Sequence, residues 1–256
     1  MTPIAAPEGL NAQGGGINDA GVVVGALQTP NREEYHSWAA RWEPDGTVHI
    51  LPGGDQAYAY IINNNGVILG SVSGQPVLWV NDEIVPLQDG SWSGDPLDLT
   101  DNGLLVGITW RFDDGHGQND GNGRRRRYPH FVSHAFALDQ SGFVELTTLG
   151  HNPRRTSASA RAANNSGQIV GVSQLRQNSD TWRPVIWQNG TITDLGVLPG
   201  FESGTAWDIN NLGQIVGYCH NENEERPLLY RDGAIIDLSA FVPDGFNLRG
   251  KGLMIN

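Results

Sequence analysis

The sequence predicts an all-β protein, a β-propeller of five four-stranded antiparallel blades. Three observations support this prediction: a short motif that recurs five times, a fixed succession of strand-like segments after each copy, and a composition rich in turns. The chain of 256 residues contains 34 glycines and only 17% charged residues, which is typical of many short strands joined by tight connections. Four-stranded units repeated about every 45 residues are characteristic of propeller blades.

The recurring motif is a turn rich in Asn and Asp, a glycine, and a β-branched run that ends in a second glycine. Its copies are INDAGVVVG (17–25), IINNNGVILG (61–70), LTDNGLLVG (99–107), ANNSGQIVG (163–171) and INNLGQIVG (209–217). Asn and Gly tolerate positive φ, and the flanking residues favour extended backbone. Each copy therefore predicts a β-hairpin between the first and second strand of a blade.

Each unit continues with a third apolar strand, a second polar turn and a fourth strand, as in RPVIW, QNG and TITDLGVL. The predicted blades cover approximately residues 14–53, 54–90, 91–150, 151–198 and 199–240 of a single propeller domain. One blade cannot bury both of its faces, whereas a ring of blades can. The repeat is thus a solution to burial and is not itself a functional motif.

The strings HAF (134–136), QNGTITDLGVL (188–198) and INNLGQIVG (209–217) resemble the HAF-type repeat family of extracellular repeat proteins. The resemblance extends over almost the whole chain and implies a propeller-like repeat fold, but no general activity. The start, MTPIAAPEGL, lacks the basic and apolar regions of a signal peptide. We therefore expect a cytoplasmic location by default, although the resembled family is extracellular and a processed chain would have lost such a segment.

The termini, residues 1–13 and 241–256, are expected to close the ring. The N-terminal segment could supply an outer strand to the last blade, and KGLMIN (251–256) resembles the start of another first strand. This end could pair inside blade 1, where GGGIN is a poor strand because glycine weakens strand interiors. A larger ring completed by a partner chain is the alternative.

Composition excludes several classes of function. The net charge of −12 argues against general nucleic-acid binding, and the chain has no apolar stretch long enough for a membrane helix. Cys219 is the single cysteine, so no internal disulfide forms. Nucleophile-elbow, P-loop, dinucleotide-binding and zinc-protease motifs are missing from the sequence. We therefore expect no cofactor, apart from a weak indication of calcium.

The long connections between blade strands predict the functional face. These connections are irregular, whereas the hairpin turns on the opposite side are short and uniform, and variable loops on a rigid scaffold are where binding sites are usually built. Aromatic rings with Asn, Asp and Arg suit a small molecule or a glycan. The predicted ligand-binding residues are Trp207, Tyr60, His36, Trp110, Trp182, Arg183 and Arg226.

Equivalent positions of the first strands supply candidate catalytic residues. Arg161 and Trp207 lie six residues before their turn glycines, as Tyr60 does, while Asp98 and Asp208 lie five residues before theirs. Two carboxylates near an arginine can perform acid–base chemistry if burial raises one pKa. His134 or His220 would assist. The alternative is that both aspartates only bind backbone groups between blades.

The third strands begin with hydrogen-bond donors, which are His36, Gln75, His134, Arg183 and Arg226. Because the histidine of HAF recurs in the resembled family, we expect these side chains to be structural and to bind loop carbonyl groups.

Blade 3 carries an insertion at residues 110–133. Its segment DDGHGQNDGNG (113–123) offers Asp113, Asp114 and Asp120 as weak candidate calcium ligands, but it lacks the EF-hand pattern, and a flexible turn is the default interpretation. The following RRRR (124–127) is a local positive patch that could bind a carboxylate or phosphate. Solvated charge is the default for it as well.

The sequence leaves three functions open. The first is recognition of a small molecule or glycan on the long-loop face and central pocket. The second is an enzyme, a hydrolase, lyase or cyclase, acting in the same pocket. The third is a protein-interaction platform. A deep polar pocket with a buried, pKa-shifted carboxylate favours catalysis, a shallow aromatic groove favours glycan binding, and a flat patchy face favours a protein partner.

Overall fold

The strands form five four-stranded antiparallel sheets and one two-stranded ladder, which confirms the predicted all-β propeller fold. The structure is a computed structural model and describes residues 4–31, 33–87, 94–113, 118–119, 125–126, 130–150, 155–176, 179–241 and 254–255. Across these residues, no helix is long and apolar enough to cross a membrane. The chain divides into two compact units, residues 1–93 and 94–256.

The first unit contains blades 1 and 2, each with its strands in chain order across the sheet. The strands of blade 1 are β1 (Asn11–Ile17), β2 (Val23–Gln28), β3 (Ser37–Trp42) and β4 (Val48–Ile50). Those of blade 2 are β5 (Ala57–Ile62), β6 (Ile68–Val72), β7 (Gln75–Val80) and β8 (Glu83–Pro86). In both blades the motif forms the hairpin between the first two strands, as predicted.

The second unit contains blades 3, 4 and 5 in the same arrangement. Blade 3 consists of β9 (Gly94–Leu99), β10 (Leu105–Asp113), β13 (His130–Asp139) and β14 (Gly142–Glu145). Blade 4 consists of β15 (Ala158–Ala163), β16 (Ile169–Gln174), β17 (Trp182–Gln188) and β18 (Thr191–Asp194). Blade 5 consists of β19 (Ser203–Ile209), β20 (Ile215–His220), β21 (Glu225–Arg231) and β22 (Ala234–Asp237), followed by a 3-10 turn, Leu238–Phe241.

The insertion of blade 3 lengthens a hairpin of the blade. Strands β10 and β13 pair from Leu105↔Leu138 to Asp113↔His130, well beyond the length of the equivalent pairs in other blades. Two short strands, β11 (Gln118–Asn119) and β12 (Arg125–Arg126), pair with each other within the insertion.

The first strand of every blade contains a β-bulge at the same position. The register of the first and second strands shifts around one unpaired residue in each sheet. These bulged residues are Gly15, Tyr60, Leu97, Arg161 and Trp207. They are the residues that lie six positions before the turn glycine in the sequence comparison. A bulge changes the direction of a side chain and increases local twist. Because it recurs at the same position in all five blades, it is a regular feature of this repeat.

The glycine that ends each motif lies opposite the bulge. A Cβ atom added to Gly171 would lie 2.0 Å from the carbonyl oxygen of Ser159 on the first strand, and one added to Gly217 would lie 2.1 Å from that of Thr205. The glycines of the other blades, Gly25, Gly70 and Gly107, show the same approach to backbone oxygen. The final glycine is therefore required by the close approach of two backbones.

The Asn-rich turns connect each blade to the next inside a unit. In the second unit, the backbone N–H of Asp101 donates to Oδ1 of Asn165 at 3.0 Å, and the backbone N–H of Asn165 donates to Oδ1 of Asn211 at 2.9 Å. In the first unit, the backbone N–H of Asp19 donates to Oδ1 of Asn64 at 2.9 Å. The recurrence of Asn and Asp in the motif thus has a structural cause besides turn formation.

Apolar side chains from neighbouring sheets form the core inside each unit. In the second unit, Val106 and Ala135 of blade 3 pack with Val185 and Trp187 of blade 4. The indole N–H of Trp187 donates to the carbonyl of Thr147 at 2.7 Å. The equivalent residues Trp42 and Trp79 in the first unit also donate to connecting backbone, at Ala5 and Pro52, so a third-strand aromatic residue anchors the connection that precedes its blade.

The glycines of the segment GGGIN form part of strand β1, although glycine is expected to weaken a strand there. A Cβ atom on Gly15 would lie 2.5 Å from the carbonyl oxygen of Ala59 in blade 2, so the two first strands lie too close for a side chain at this position. The sheets of blades 1 and 5 each consist of four strands from their own stretch of chain. The way in which the termini close the ring remains a prediction.

Candidate functional site

The second unit places Arg161 over the ring of Trp207. The two residues are the bulged residues of blades 4 and 5, and the guanidinium carbon of Arg161 lies 4.8 Å from the centroid of the Trp207 ring. A cation at this distance from an indole face is attracted by the ring quadrupole. The two residues occupy equivalent positions of the sequence repeat, and the structure brings them together.

Arg161 is partly buried and carries a charge that no carboxylate neutralises among the described residues. Its Nε atom is fully buried without a hydrogen-bond partner. Burial lowers the pKa of Arg161 from its ordinary value, although the group stays protonated at any physiological pH. Among the arginines whose side chains the structure describes, only Arg161 combines partial burial with the lack of a partner.

An aromatic stripe continues from Trp207 toward the long-loop end of blade 5. The ring of Trp207 lies 6.2 Å from that of Tyr218, and the ring of Tyr218 lies 6.0 Å from that of His220, each pair inclined by 43°. Tyr218 and His220 alternate with the buried Cys219 on β20, so they share one face of the sheet. The Nδ1 atom of His220 is buried and has no hydrogen-bond partner in the described residues.

The stripe ends at a cavity of 570 Å³ between the long connections of blades 4 and 5. Its lining includes Asp180, Glu202, Ser203, His220 and Glu222. This cavity lies on the face for which the sequence predicts ligand binding. Its carboxylates make it acidic, in keeping with the charge of the whole chain.

A smaller cavity of 270 Å³ lies on the opposite side of the second unit, between the hairpin turns. Asn164, Asn165 and Asn210 line it. The side chains of these asparagines already bind backbone groups within and between the turns, and that of Asn165 also donates to the carboxylate of Asp101. Few of their polar groups therefore remain for a ligand.

Asp98 and Asp208 each bind two backbone N–H groups. Asp98 accepts from Leu99 at 2.8 Å through Oδ1 and from Ala163 of the next blade at 2.8 Å through Oδ2. Asp208 accepts in the same way from Ile209 and from Ile255. Ile255 thus occupies, relative to Asp208, the place that Ala163 occupies relative to Asp98. The contacts give both carboxylates a structural role, and their catalytic role remains a prediction.

The surroundings of the two aspartates nevertheless favour the neutral form. Burial raises the pKa of Asp98 to about 6, and the nearby charge of Asp208 adds to this rise, while the bonds from Ala163 and Leu99 oppose it. Burial also raises the pKa of Asp208. A buried carboxyl group loses the hydration of its charge, and two backbone donors restore only part of it.

The first unit contains a separate platform of tyrosines. The rings of Tyr58 and Tyr60 stack with centroids 6.3 Å apart. The hydroxyl groups of Tyr35 and Tyr58 lie 3.0 Å apart, and that of Tyr60 lies 2.7 Å from Oγ of Ser71. Tyr35 and Tyr60 are exposed. Tyr60, predicted as a ligand-binding residue, therefore belongs to an accessible aromatic surface.

The basic residues that begin the third strands bind carboxylates. His134 contacts Glu145, which also binds Arg111, and Arg183 binds Asp194 through Nε at 3.0 Å. Arg226 binds Asp237 and Glu224, and His36 binds Asp55. We expected loop carbonyls as partners, and Arg183 does bind the carbonyl of Glu202, but carboxylates are the recurring partner. The ring of His134 is buried, and this burial lowers its pKa.

Of the remaining predicted residues, Trp182 contacts the lining of the 570 Å³ cavity through Ser203, and Trp110 lies beside the insertion of blade 3. Trp110 is exposed on β10 beside the insertion, opposite Ser133, and the backbone N–H of Trp182 donates to Oγ of Ser203. For the calcium candidates, Asp113 ends β10, whereas Asp114 and Asp120 lie outside the described residues. The described part of the chain contains no group of three or more His, Cys, Asp or Glu that could hold a metal ion.

Two aromatic residues of these surfaces, Tyr218 and Tyr58, were not predicted from the sequence. Tyr218 lies on a second strand, two residues before His220, and Tyr58 lies on a first strand, two residues before Tyr60. The signal was present in YCH (218–220) and YAY (58–60), because alternate residues of a strand share one face.

Comparison with known proteins shows similarity in fold. No family model matches the chain, and no curated protein matches it. The acylaminoacyl peptidase of Pyrococcus horikoshii in an orthorhombic crystal form is 15% identical with a TM-score of 0.60, covering 92% of this chain and 40% of that chain. Its uncomplexed structure is 14% identical with a TM-score of 0.56, covering 90% of this chain and 40% of that chain.

The β-propeller domain of the Trilobed protease from Pyrococcus furiosus is also similar, at 10% identity and a TM-score of 0.43, covering 91% of this chain and 84% of that chain. The chain thus spans about two fifths of the length of the two peptidase structures. At these identities the similarity concerns the fold alone.

Proposed function

We propose that this protein is a ligand-binding propeller that recognises a small molecule or glycan on its long-loop face. The observation that carries the proposal is the aromatic stripe of Trp207, Tyr218 and His220, which leads from the unpaired Arg161 to the 570 Å³ cavity. Aromatic rings provide an apolar surface for the faces of sugar or aromatic rings, and free polar atoms beside them give directional hydrogen bonds.

The spacing and inclination of the rings favour an elongated ligand with more than one ring. Successive centroids lie about 6 Å apart, and each plane is turned by 43° relative to the next. Such a curved row can contact consecutive rings of an oligosaccharide. The hydroxyl groups of the ligand would donate to Glu202 and Asp180 at the cavity, because carboxylates accept strongly from hydroxyl groups.

The test is thermal unfolding in the presence of neutral and acidic mono- and disaccharides and small aromatic acids. A ligand that binds only the folded protein raises the melting temperature. We expect a rise with at least one compound, and we expect Trp207→Ala and Tyr218→Ala to abolish it. Leu212→Ala is the matched control, because Leu212 is an exposed apolar residue on a hairpin turn.

Loss of the response in both stripe variants, with retention in the control, supports the proposal. A response that survives Trp207→Ala and Tyr218→Ala places the ligand elsewhere. The tyrosine platform of the first unit would then be tested with Tyr60→Ala. If no compound changes the melting temperature of the parent protein, the proposal of a small-molecule or glycan site is wrong.

An enzyme is the second candidate, and the raised pKa of Asp98, to about 6, is the observation that favours it. A carboxyl group with this pKa can give or take a proton near neutrality. Hydrolysis of aryl glycosides and lactones between pH 5 and 8 is the assay. Turnover that Asp98→Asn abolishes while ligand binding persists would establish catalysis. If a compound binds but is not turned over, the enzyme candidate is rejected and the ligand-binding function remains.

A further inference from the structure

Arg161 raises a question that the fold alone does not answer. Its guanidinium is partly buried and lies over the ring of Trp207, yet no carboxylate in the described part of the chain binds it. Propeller geometry does not require arginine here, because the equivalent bulged residues of blades 1, 2 and 3 are Gly15, Tyr60 and Leu97. The position accepts a glycine, an aromatic or an aliphatic side chain.

Other arginines of the chain show how this protein neutralises a cation that serves structure. Arg183, 18% exposed, is held by both oxygens of Asp194 at 3.2 and 3.0 Å. Arg41 binds Glu43 and Asp82. Taking a charge out of water without a partner is costly, and stacking on an indole offsets only part of that cost. The chain has a net charge of −12, so acidic residues outnumber basic ones. An arginine without a carboxylate partner is therefore unusual in this protein.

Arg161 is only partly buried and has no anionic partner among the described residues, so an anionic ligand can complete its contacts. The guanidinium carbon lies 4.8 Å from the centroid of the Trp207 ring, and the N–H donors of a guanidinium lie in one plane, where they match the two oxygens of a carboxylate. The rest of the site excludes a strongly anionic ligand, because Asp180, Glu202 and Glu222 line the cavity at the other end of the stripe. A ligand with one acid group and an uncharged, hydroxyl-bearing body fits both ends.

We propose that the ligand carries a single carboxylate, which Arg161 binds in a bidentate manner, while its neutral hydroxylated part lies along Trp207, Tyr218 and His220 toward the acidic cavity. This inference rests on the function proposed above and names its ligand class: singly acidic sugars and related ring-bearing monocarboxylates.

The experiment uses matched pairs of compounds that differ in one acid group. Galactose is compared with galacturonate, and lactitol with lactobionate, by calorimetric titration of the full chain, and benzoate distinguishes an aromatic acid from a sugar acid. Digalacturonate supplies a second carboxylate. We expect each acidic member to bind at least about tenfold more tightly than its neutral partner, as a charge-assisted bidentate contact provides, and digalacturonate to bind more weakly per sugar than galacturonate.

Two variants of Arg161 test whether this residue binds the carboxylate of the ligand. Arg161→Met keeps an unbranched apolar stem over Trp207 and is expected to abolish the preference for the acidic member of each pair. Arg161→Lys keeps the charge without the planar fork and is expected to retain only part of the preference. Arg231→Met removes the same charge from the exposed end of a third strand and is expected to leave the preference unchanged. Circular dichroism confirms that each variant is folded.

The outcomes separate the two proposals. If neutral and acidic compounds bind equally, the ligand-binding function stands and the acidic class is wrong. If acidic compounds bind preferentially but Arg161→Met has no effect, Arg161 is not the anchor and the inference is overturned. If no compound binds, both proposals fail. A preference that disappears only in the Arg161 variants supports the inference.

Discussion

Arg161 and Trp207 meet because each is the extra residue of a bulge in the first strand of its blade. The bulge is present in every blade, but the side chain that it presents differs from blade to blade. The backbone feature therefore belongs to the fold, and the identity of the bulged residue is free to serve function. This separation is why an arginine without a partner at that position carries information about a ligand.

We predict that Arg161→Met does not destabilise the unliganded protein. The substitution removes a partly desolvated, unpaired charge and keeps an apolar stem beside Trp207, so the free energy of unfolding should stay equal or rise by up to about 1 kcal/mol. Urea unfolding measures the change. Arg183→Met is the matched comparison, because it removes the arginine that binds both oxygens of Asp194 and should cost about 1–2 kcal/mol.

A loss above about 1 kcal/mol in Arg161→Met would show that the stack on Trp207 is a structural contact. Arg161 would then need no ligand to explain it. Equal effects of Arg161→Met and Arg183→Met would lead to the same conclusion.

At the scale of the element, the hairpin motif uses its two glycines for different reasons. Gly167 lies in the turn with φ of +74°, and a Cβ atom there would meet nothing within 4 Å. Gly171 lies in β16 opposite the bulge, where a Cβ atom would lie 2.0 Å from the carbonyl oxygen of Ser159. The first glycine relieves backbone strain, whereas the second allows two backbones to approach.

We predict unequal costs for alanine at these two glycines. Gly167→Ala places an ordinary residue in the left-handed region and should cost about 1–2 kcal/mol. Gly171→Ala forces the first two strands apart and should cost more than about 4 kcal/mol or prevent folding. The midpoint of urea unfolding measures both, and proteolytic resistance detects a variant that does not fold. Gly167→Asn is the control for turn strain and should be milder than Gly167→Ala, because Asn tolerates positive φ. Equal costs at the two glycines would contradict this account of the motif.

The sequence could predict the hairpins and the four-strand order because both depend on local turn chemistry and on alternation, which the repeat displays five times. It could align Arg161 with Trp207 and Tyr60, but not show that these are bulged residues, since a bulge is defined by pairing between strands. The partners of His134 and Arg183 were equally hidden. They are carboxylates on the neighbouring fourth strand, and their proximity follows from register, which a single strand does not reveal.

At the scale of the whole molecule, exposed and buried carboxyl groups change the stability of the protein with pH in opposite ways. Hydrogen bonds lower the pKa of exposed carboxyl groups such as Asp45, Asp55 and Asp139, so their contribution to stability is lost as pH falls through the acidic range. Burial raises the pKa of Asp98 and Asp208, so their contribution is present at low pH and lost as pH rises. The net charge of −12 at pH 7 adds repulsion that weakens toward the pI of about 4.8.

We therefore predict that the protein is more stable near pH 5 than at pH 7 to 8. Asp98 is the group whose effect can be isolated: its pKa rises from 3.8 to about 6 on folding, so the folded state binds more protons between these values. Its contribution is complete below about pH 4 and disappears as pH rises through 6, amounting to at most about 3 kcal/mol. The lowered pKa of His134 has the opposite effect, because it makes the folded state more stable as pH rises above 5. A comparison with a variant is therefore needed to isolate Asp98.

Urea unfolding of the parent protein and of Asp98→Asn at pH 4, 5, 6 and 7 makes that comparison, because every other titrating group is common to both proteins. The stability difference in favour of the parent should shrink from pH 4 to pH 7. If Asp98→Asn does not fold, carbon NMR of the Asp98 carboxyl group in the parent protein gives its titration midpoint directly. A midpoint below 4, or a stability difference that is constant with pH, would show that the bonds from Ala163 and Leu99 outweigh the loss of hydration. Asp98 would then be a permanently charged link between two blades, without the pKa that acid–base chemistry requires.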